Sequence, residues 1–121
     1  MPSESDLLQR INRPHLFNSF NGITVTSVAA VSGQAQGELE ATENSLNPHG
    51  TIHGGCLYTL ADTVAGSAVA ASCGRPCVTV SGTLEFLRPA TGPRILCAWP
   101  RPPGAPLASH QPPQSVSRQM R

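Results

Sequence analysis

Hydrophobic and polar residues alternate along two segments of this chain, and such alternation is typical of strands with one buried face. In residues 34–42, small and apolar residues take every second position while Gln, Glu and Thr take the others. In residues 77–87, hydroxyl and acidic residues alternate with an apolar set, namely Val78, Val80, Gly82, Leu84 and Phe86. Residues 23–31 are rich in β-branched side chains, and residues 94–97 begin another apolar stretch. The pattern predicts four strands, with the apolar set of residues 77–87 on one face.

A period of 3.6 residues predicts a long helix that begins near residue 54 and ends near residue 73. Its apolar residues share one stripe, which consists of Leu57, Leu60, Ala61, Val64, Ala65 and Ala68. Most of its other residues are small, so a sheet could wrap closely around it. A shorter helix begins at Ser3, which forms a capping-box pattern with Asp6, and stops before Pro14.

Composition narrows the possible classes of protein. Charged residues make up 12% of the 121 residues and the net charge is +1, so we expect no nucleic-acid partner. The chain does not open with a basic stretch followed by an apolar one, which argues against a secretory signal. The apolar stretch of residues 57–71 is interrupted by Asp62 and Gly66, and we expect it to be too short and too polar to span a membrane. These features predict a cytoplasmic protein of one small domain.

The four cysteines and the histidines show no spacing typical of a metal site, and without a secretory signal a disulfide framework is not expected. Cys56 lies near the predicted helix start, where a thiol can become a nucleophile. We favour the alternative, that Cys56 is a small packing residue. Because the spacing of the cysteines and histidines does not match a metal site, we also predict no metal.

The last quarter of the chain has a different character. Residues 98–121 contain six prolines and no acidic residue. Because proline lacks the backbone donor that a sheet ladder needs, we predict a Pro-rich disordered tail there. The predicted domain is therefore residues 1–97.

Three short motifs stand out together. They are Asn-Pro-His-Gly-Thr-Ile-His-Gly-Gly at residues 47–55, Leu-Ala-Asp at residues 60–62, and Phe-Leu-Arg-Pro-Ala at residues 86–90. With their spacing, residues 16–97 resemble the hotdog-fold acyl-CoA thioesterases of the phenylacetic-acid-degradation (PaaI-like) type. The resemblance implies an α+β hotdog fold, in which an antiparallel sheet wraps around one central helix. The late strands that complete such a sheet are missing here or replaced.

The chemistry of thioester hydrolysis fits the predicted helix start. A helix N-terminus offers unpaired N–H groups and about half a positive charge, which can stabilise an oxyanion. Gly54 and Gly55 have no side chain, so a carbonyl could approach their backbone closely. The amide of Asn47 could polarise the same carbonyl or hold the water.

The resemblance also implies roles for individual residues. Asn47 and Gly54 match the carbonyl-binding positions, and Asp62 matches the catalytic carboxylate that acts across a dimer interface. Thr79 matches a hydroxyl that orients the water, and His53 and Gly55 fall beside the substrate. The implied protein is a homodimer or homotetramer that hydrolyses an aryl or medium-chain acyl-CoA, with no cofactor other than the coenzyme A of the substrate.

Other interpretations are compatible with the same residues. Taken singly, the glycine pair could be a tight turn, Asp62 could face solvent, and His53 could hold its loop by hydrogen bonds. The altered C-terminal region favours an alternative function, a truncated non-catalytic hotdog protein that binds acyl-CoA or an intact paralogue. A hotdog hydratase or dehydratase is a further alternative, although the pattern from Asn47 to Asp62 fits hydrolysis better.

Overall fold

The computed structural model describes residues 3–100 and the backbone of residues 115–120. Three α-helices, five strands and a short 3-10 helix (Glu43–Ser45) make up this part of the chain. In chain order they are α1 (Glu4–Ile11), α2 (Phe17–Phe20), β1 (Ile23–Ala29), β2 (Gln34–Glu40), α3 (Gly54–Cys73), β3 (Thr79–Glu85), β4 (Arg94–Trp99) and β5 (Ser115–Met120).

The strands form two antiparallel sheets around the long helix α3. One sheet has the order β1-β2-β4, and the other consists of β3 and β5. Helix α3 packs against all three strands of the first sheet and also contacts β3. Within the described residues no strand pairing joins the two sheets. The predicted α+β hotdog architecture, with a sheet wrapped around one central helix, is confirmed.

The contact between β2 and α3 forms the centre of the core. Ala35, Gly37 and Leu39 of β2 are buried, as the alternation of residues 34–42 predicts. A Cβ at Gly37 would lie 2.6 Å from Cγ2 of Val64, so only glycine lets the helix come this close. The predicted apolar stripe of α3 is confirmed, since all six of its residues are buried.

Helix α1 is attached to β1 at the outer edge of the first sheet. Its predicted capping box is present, because the Ser3 hydroxyl accepts from the Asp6 N–H and the Asp6 carboxylate accepts from the Ser3 N–H. Just after the helix, the Asn12 amide donates to the Val25 carbonyl and accepts from the Val25 N–H, at 2.8 and 2.9 Å. These two hydrogen bonds satisfy the backbone N–H and carbonyl of Val25 at the edge of the sheet, next to a β-bulge between Val25 and Ser27.

Strand β3 corrects one prediction about the faces of residues 77–87. Thr79 pairs with Met120 and Ser81 with Gln119, so Val80 is the extra residue of a bulge. The bulge places Thr79 on the same side as Leu84, where simple alternation would put them on opposite faces. The apolar set is therefore not one buried face: Val80 and Phe86 are 51% and 53% exposed.

The predicted tail overlaps two strands. Residues 98 and 99 belong to β4, and residues 115–120 form β5 along β3. The segment of β5 contains no proline, so every one of its residues keeps the backbone donor that pairing needs. Residues 101–114 and 121 of that predicted tail lie outside the described part of the chain.

Helix α3 is longer than the apolar stretch of residues 57–71 that was expected to be too short to span a membrane. It has 20 residues and contains an 18-residue window with a mean hydropathy of 1.2, so it is long and apolar enough to cross a membrane by those two criteria alone. Half of the apolar window is buried inside the protein. Because the first sheet packs along it, α3 is the core helix of the fold.

Candidate active site

Asp62 and Thr79 lie together although they are 17 residues apart in sequence. The Thr79 hydroxyl donates to Oδ1 of Asp62 at 2.8 Å, and both side chains are half-buried. Asp62 projects from the part of α3 that faces β3, and the bulge at Val80 turns Thr79 toward it. The structure thus unites the predicted catalytic carboxylate with the predicted orienting hydroxyl.

His53 caps the start of α3. Its Nδ1 accepts a hydrogen bond of 2.8 Å from the Gly55 N–H, and its carbonyl accepts from the N–H of Cys56. A Cβ at Gly55 would lie 2.9 Å from the same Nδ1, so glycine is needed here for the histidine cap. His53 therefore holds the helix start, and the Gly55 N–H is already engaged.

Gly54 is the first residue of α3 and its backbone is half-buried. Among the described residues, no hydrogen-bond acceptor is found for its N–H. The ring of Phe86 lies beside it, and a Cβ at Gly54 would come within 3.3 Å of Cζ of that ring. Of the two glycines, Gly54 is the one that can offer both a helix-end donor and an apolar wall to a bound carbonyl.

Asn47 organises the loop that precedes α3. Its Oδ1 accepts from the N–H groups of His49 and Thr51 at 2.9 and 3.1 Å, and its Nδ2 donates to Oγ1 of Thr51 at 2.7 Å. Further along, the His53 N–H donates to the Ser45 carbonyl and ties this loop to the helix start. Across the described residues, the hydrogen bonds of the Asn47 amide stay within its own loop.

The two groups of predicted site residues are separated along α3. Gly54 and His53 lie at its first turn, whereas Asp62 follows Gly54 by eight residues. At 1.5 Å per residue, this spacing amounts to about 12 Å along the helix axis. A single chain therefore cannot present the Gly54 N–H and the Asp62 carboxylate to one small carbonyl group.

Three of the four thiols, those of Cys56, Cys77 and Cys97, are poor candidates for nucleophiles. Cys56 is only 8% exposed, and burial raises the pKa of its thiol. Burial also raises the pKa of Cys77, next to Cys73, and that of Cys97 to about 11. Since the thiolate is the reactive form, these shifts favour the packing interpretation of Cys56. In the described part of the chain, no three His, Cys, Asp or Glu side chains cluster in a way that could hold a metal ion.

Sequence reasoning missed two contributors to this region. The sequence places Phe86 in the strand pattern and in the motif of residues 86–90 but predicts no role for it in the site, although its ring lies beside the start of α3. Helix α1 lines a groove that also contains Asp62 and Thr79. The position of Phe86, an aromatic residue at the end of an alternating strand, was a signal for its role. No local sequence pattern predicts where α1 packs.

Comparisons with known proteins agree with this architecture. The family model of the thioesterase superfamily matches residues 49–102. The phenylacetic acid degradation protein PaaI of Thermus thermophilus, solved as a mutant, is 31% identical, with a TM-score of 0.60 over 68% of this chain and 69% of that one. A search of curated proteins found no match.

Two further solved structures are similar. The PaaI protein from the phenylacetic acid degradation operon of E. coli is 27% identical, with a TM-score of 0.65 over 74% of this chain. This chain spans 64% of that protein's length. Thioesterase superfamily member 2 from Mus musculus is 25% identical, with a TM-score of 0.65 over 81% of this chain and 73% of that one. The chain belongs to the hotdog-fold, PaaI-like family of the thioesterase superfamily.

Proposed function

We propose that this protein hydrolyses an aryl or medium-chain acyl-CoA thioester to the free acid and coenzyme A, in the cytoplasm, as a homodimer or homotetramer. The observation that carries the proposal is the hydrogen bond between Thr79 and Asp62. A half-buried carboxylate on an otherwise small and apolar helix is costly unless it is hydrogen-bonded. The Thr79 hydroxyl meets that need and also holds the carboxylate in one orientation, which a general base requires.

In this proposal, the Asp62 carboxylate takes a proton from a water molecule as the water oxygen attacks the thioester carbonyl carbon. The resulting tetrahedral intermediate carries its negative charge on the former carbonyl oxygen, where the Gly54 N–H and the dipole of α3 stabilise it. The carbon–sulfur bond then breaks, and the thiolate of coenzyme A takes up the proton. Thr79 holds the carboxylate and helps to orient the water.

The distance along α3 determines how the site is assembled. Because Gly54 and Asp62 are about 12 Å apart on one helix, we propose that the carbonyl binds between Gly54 of one copy and Asp62 of a second copy. Such an arrangement repeats itself by two-fold symmetry and creates two equal sites per dimer. Asn47 and His53 contribute to the Gly54 half by fixing the loop and the helix start.

The test is release of free coenzyme A from a panel of aryl- and medium-chain acyl-CoA esters. We expect turnover by the wild type and a loss of about 10²- to 10⁴-fold in Asp62→Asn, the range typical of a general base. The unfolding midpoint of the variant serves as the control, because the amide keeps the shape of the side chain. Wild-type activity in Asp62→Asn would contradict the proposed mechanism, and no turnover by the wild type would favour the non-catalytic alternative.

A further inference from the structure

A groove of about 660 Å³ lies between α1, α3 and the segment that leads into β3. This volume is within the range of about 300–1,000 Å³ that small-molecule sites occupy. Leu7 and Ile11 of α1 form one apolar wall, and Val78 contributes to the opposite side. Asp62 and Thr79 line the same groove, which connects it to the candidate catalytic pair.

The floor of the groove is a stripe of α3 that lacks bulky side chains. After Asp62 it contains Gly66 and Ala70, at intervals of four residues, and these share one helix face. The stripe from Asp62 to Ala70 is about 12 Å long. Glycine in a helix interior is less favourable than alanine, and Gly66 leaves free the space above α3 that the methyl group of an alanine would take.

Helix α1 is held in place over this floor. The Glu4 carboxylate accepts from the Ala30 N–H at 2.8 Å at one end, and Asn12 pairs with the backbone of Val25 at the other. The wall that Leu7 and Ile11 provide is therefore formed before any ligand binds. A preformed apolar wall lowers the entropic cost of ordering a flexible ligand.

The charges around the groove balance. Glu4 and Asp62 carry negative charge, and Arg10 and Arg75 carry positive charge. Among the described residues, the lining therefore has no excess charge that would attract an acyl group with a terminal carboxylate or amine. The apolar walls and the small residues of the floor form most of the remaining lining, and an elongated apolar surface suits an unbranched hydrocarbon chain better than a polar group.

We infer that this groove binds the acyl group of the substrate, an unbranched medium-length alkyl chain that extends from Asp62 along Gly66 and Ala70 beneath α1. The inference rests on the proposed function, because the thioester carbonyl must lie at Asp62. It assigns Gly66 and Ala70 as the residues that set the permitted chain length, and α1 as the wall that contacts the chain.

The test uses thioether analogues, S-ethyl-CoA and S-octyl-CoA, which bind without being hydrolysed. We expect calorimetry to show that the wild type binds the octyl analogue about tenfold or more tightly than the ethyl one, since each methylene in an apolar pocket contributes to affinity. In Ala70→Leu this preference should fall about tenfold while the affinity for S-ethyl-CoA stays unchanged. The matched control is Val69→Phe, a comparable increase in bulk at a residue of α3 that is also half-buried but does not line the groove.

Equal affinity of the wild type for the two analogues, or equal losses in Ala70→Leu and Val69→Phe, would overturn the inference. Should Ala70→Leu fail to fold, Gly66→Ala tests the same floor with a single methyl group that favours the helix. Hydrolysis is measured in parallel. Chain-length preference without turnover would contradict the proposed function and support the groove, whereas turnover without chain-length preference would overturn the groove alone.

Discussion

Strands β2 and β3 have the same length and a similar alternation in sequence, but they occupy very different surroundings. Strand β2 has partners on both sides, and three of its residues are buried. Strand β3 pairs only with β5 among the described residues, and none of its residues is buried. Leu39 of β2 is 0% exposed, whereas Val80 of β3 is 51% exposed.

The two strands have different roles: β2 contributes to the stability of the fold, and β3 contributes to the candidate active site. Strand β2 contributes a packed face that fixes α3, because Gly37 allows Val64 to approach the backbone. Strand β3 contributes a bulge that turns Thr79 toward Asp62. We therefore expect substitutions on β2 to lower the free energy of unfolding, and substitutions on β3 to change catalysis or assembly.

The largest expected effect on stability is at the centre of β2. Leu39→Ala should lower the free energy of unfolding by about 2–5 kcal/mol, because it leaves a cavity in a fully buried site. Leu96→Ala is the matched control: Leu96 lies on β4 and is 54% exposed, so the loss should be within about 0.5 kcal/mol. Urea unfolding of both variants measures the contrast, and equal losses would show that β2 is not the packed strand that we describe.

A smaller effect is expected at Thr79. Thr79→Val keeps the shape of the side chain and removes the hydroxyl that donates to Asp62, so kcat should fall about tenfold, in line with the loss of one hydrogen bond to a charged group. Thr79→Ser keeps the hydroxyl and should retain most of the activity. Full activity in the valine variant, or equal losses in both, would remove Thr79 from the mechanism.

The smallest expected effect is at the exposed part of β3. Val80→Thr should change the free energy of unfolding by less than about 0.5 kcal/mol in the single chain, since the side chain is half in solvent. The measurement is urea unfolding at several protein concentrations. A large loss of unfolding free energy that depends on protein concentration would show that a second chain covers this strand in solution. Strand β3 would then be a buried strand like β2, and the comparison between them would no longer hold.

Much of the fold follows from local pattern. The stripe on α3, the alternation of β2 and the capping box at Ser3 each depend on residues a few positions apart, and the structure contains all three. The arrangement of β3 does not follow in this way, because a bulge depends on the pairing of two distant strands. Alternation put Thr79 and Leu84 on opposite faces, and the extra residue Val80 brought them to the same one.

The candidate site was predictable to a similar extent. The family resemblance that the motifs carry implied roles for Asp62, Thr79 and Gly54, and the structure joins the first two by a hydrogen bond. That Gly55 supports the histidine cap could not be read from sequence, because two adjacent glycines look alike until the His53 ring is placed. The groove beneath α1 could not be predicted either, because it is formed by residues that are distant in sequence, such as Leu7 and Ala70.

The central claim is that one site is built from Gly54 of one copy and Asp62 of another, and mixed dimers test it most directly. Gly54→Pro removes the N–H of a first helical position that tolerates proline, and it adds ring carbons next to Phe86. Gly54→Ala controls for the added Cβ. Each of Asp62→Asn and Gly54→Pro should be inactive alone.

The two variants are produced together with different affinity tags, and the mixed dimer is purified through both. We predict that it recovers about half of the wild-type release of coenzyme A, because one of its two symmetric sites contains an intact Gly54 and an intact Asp62. A mixed dimer as inactive as its two parents would contradict a site shared between copies.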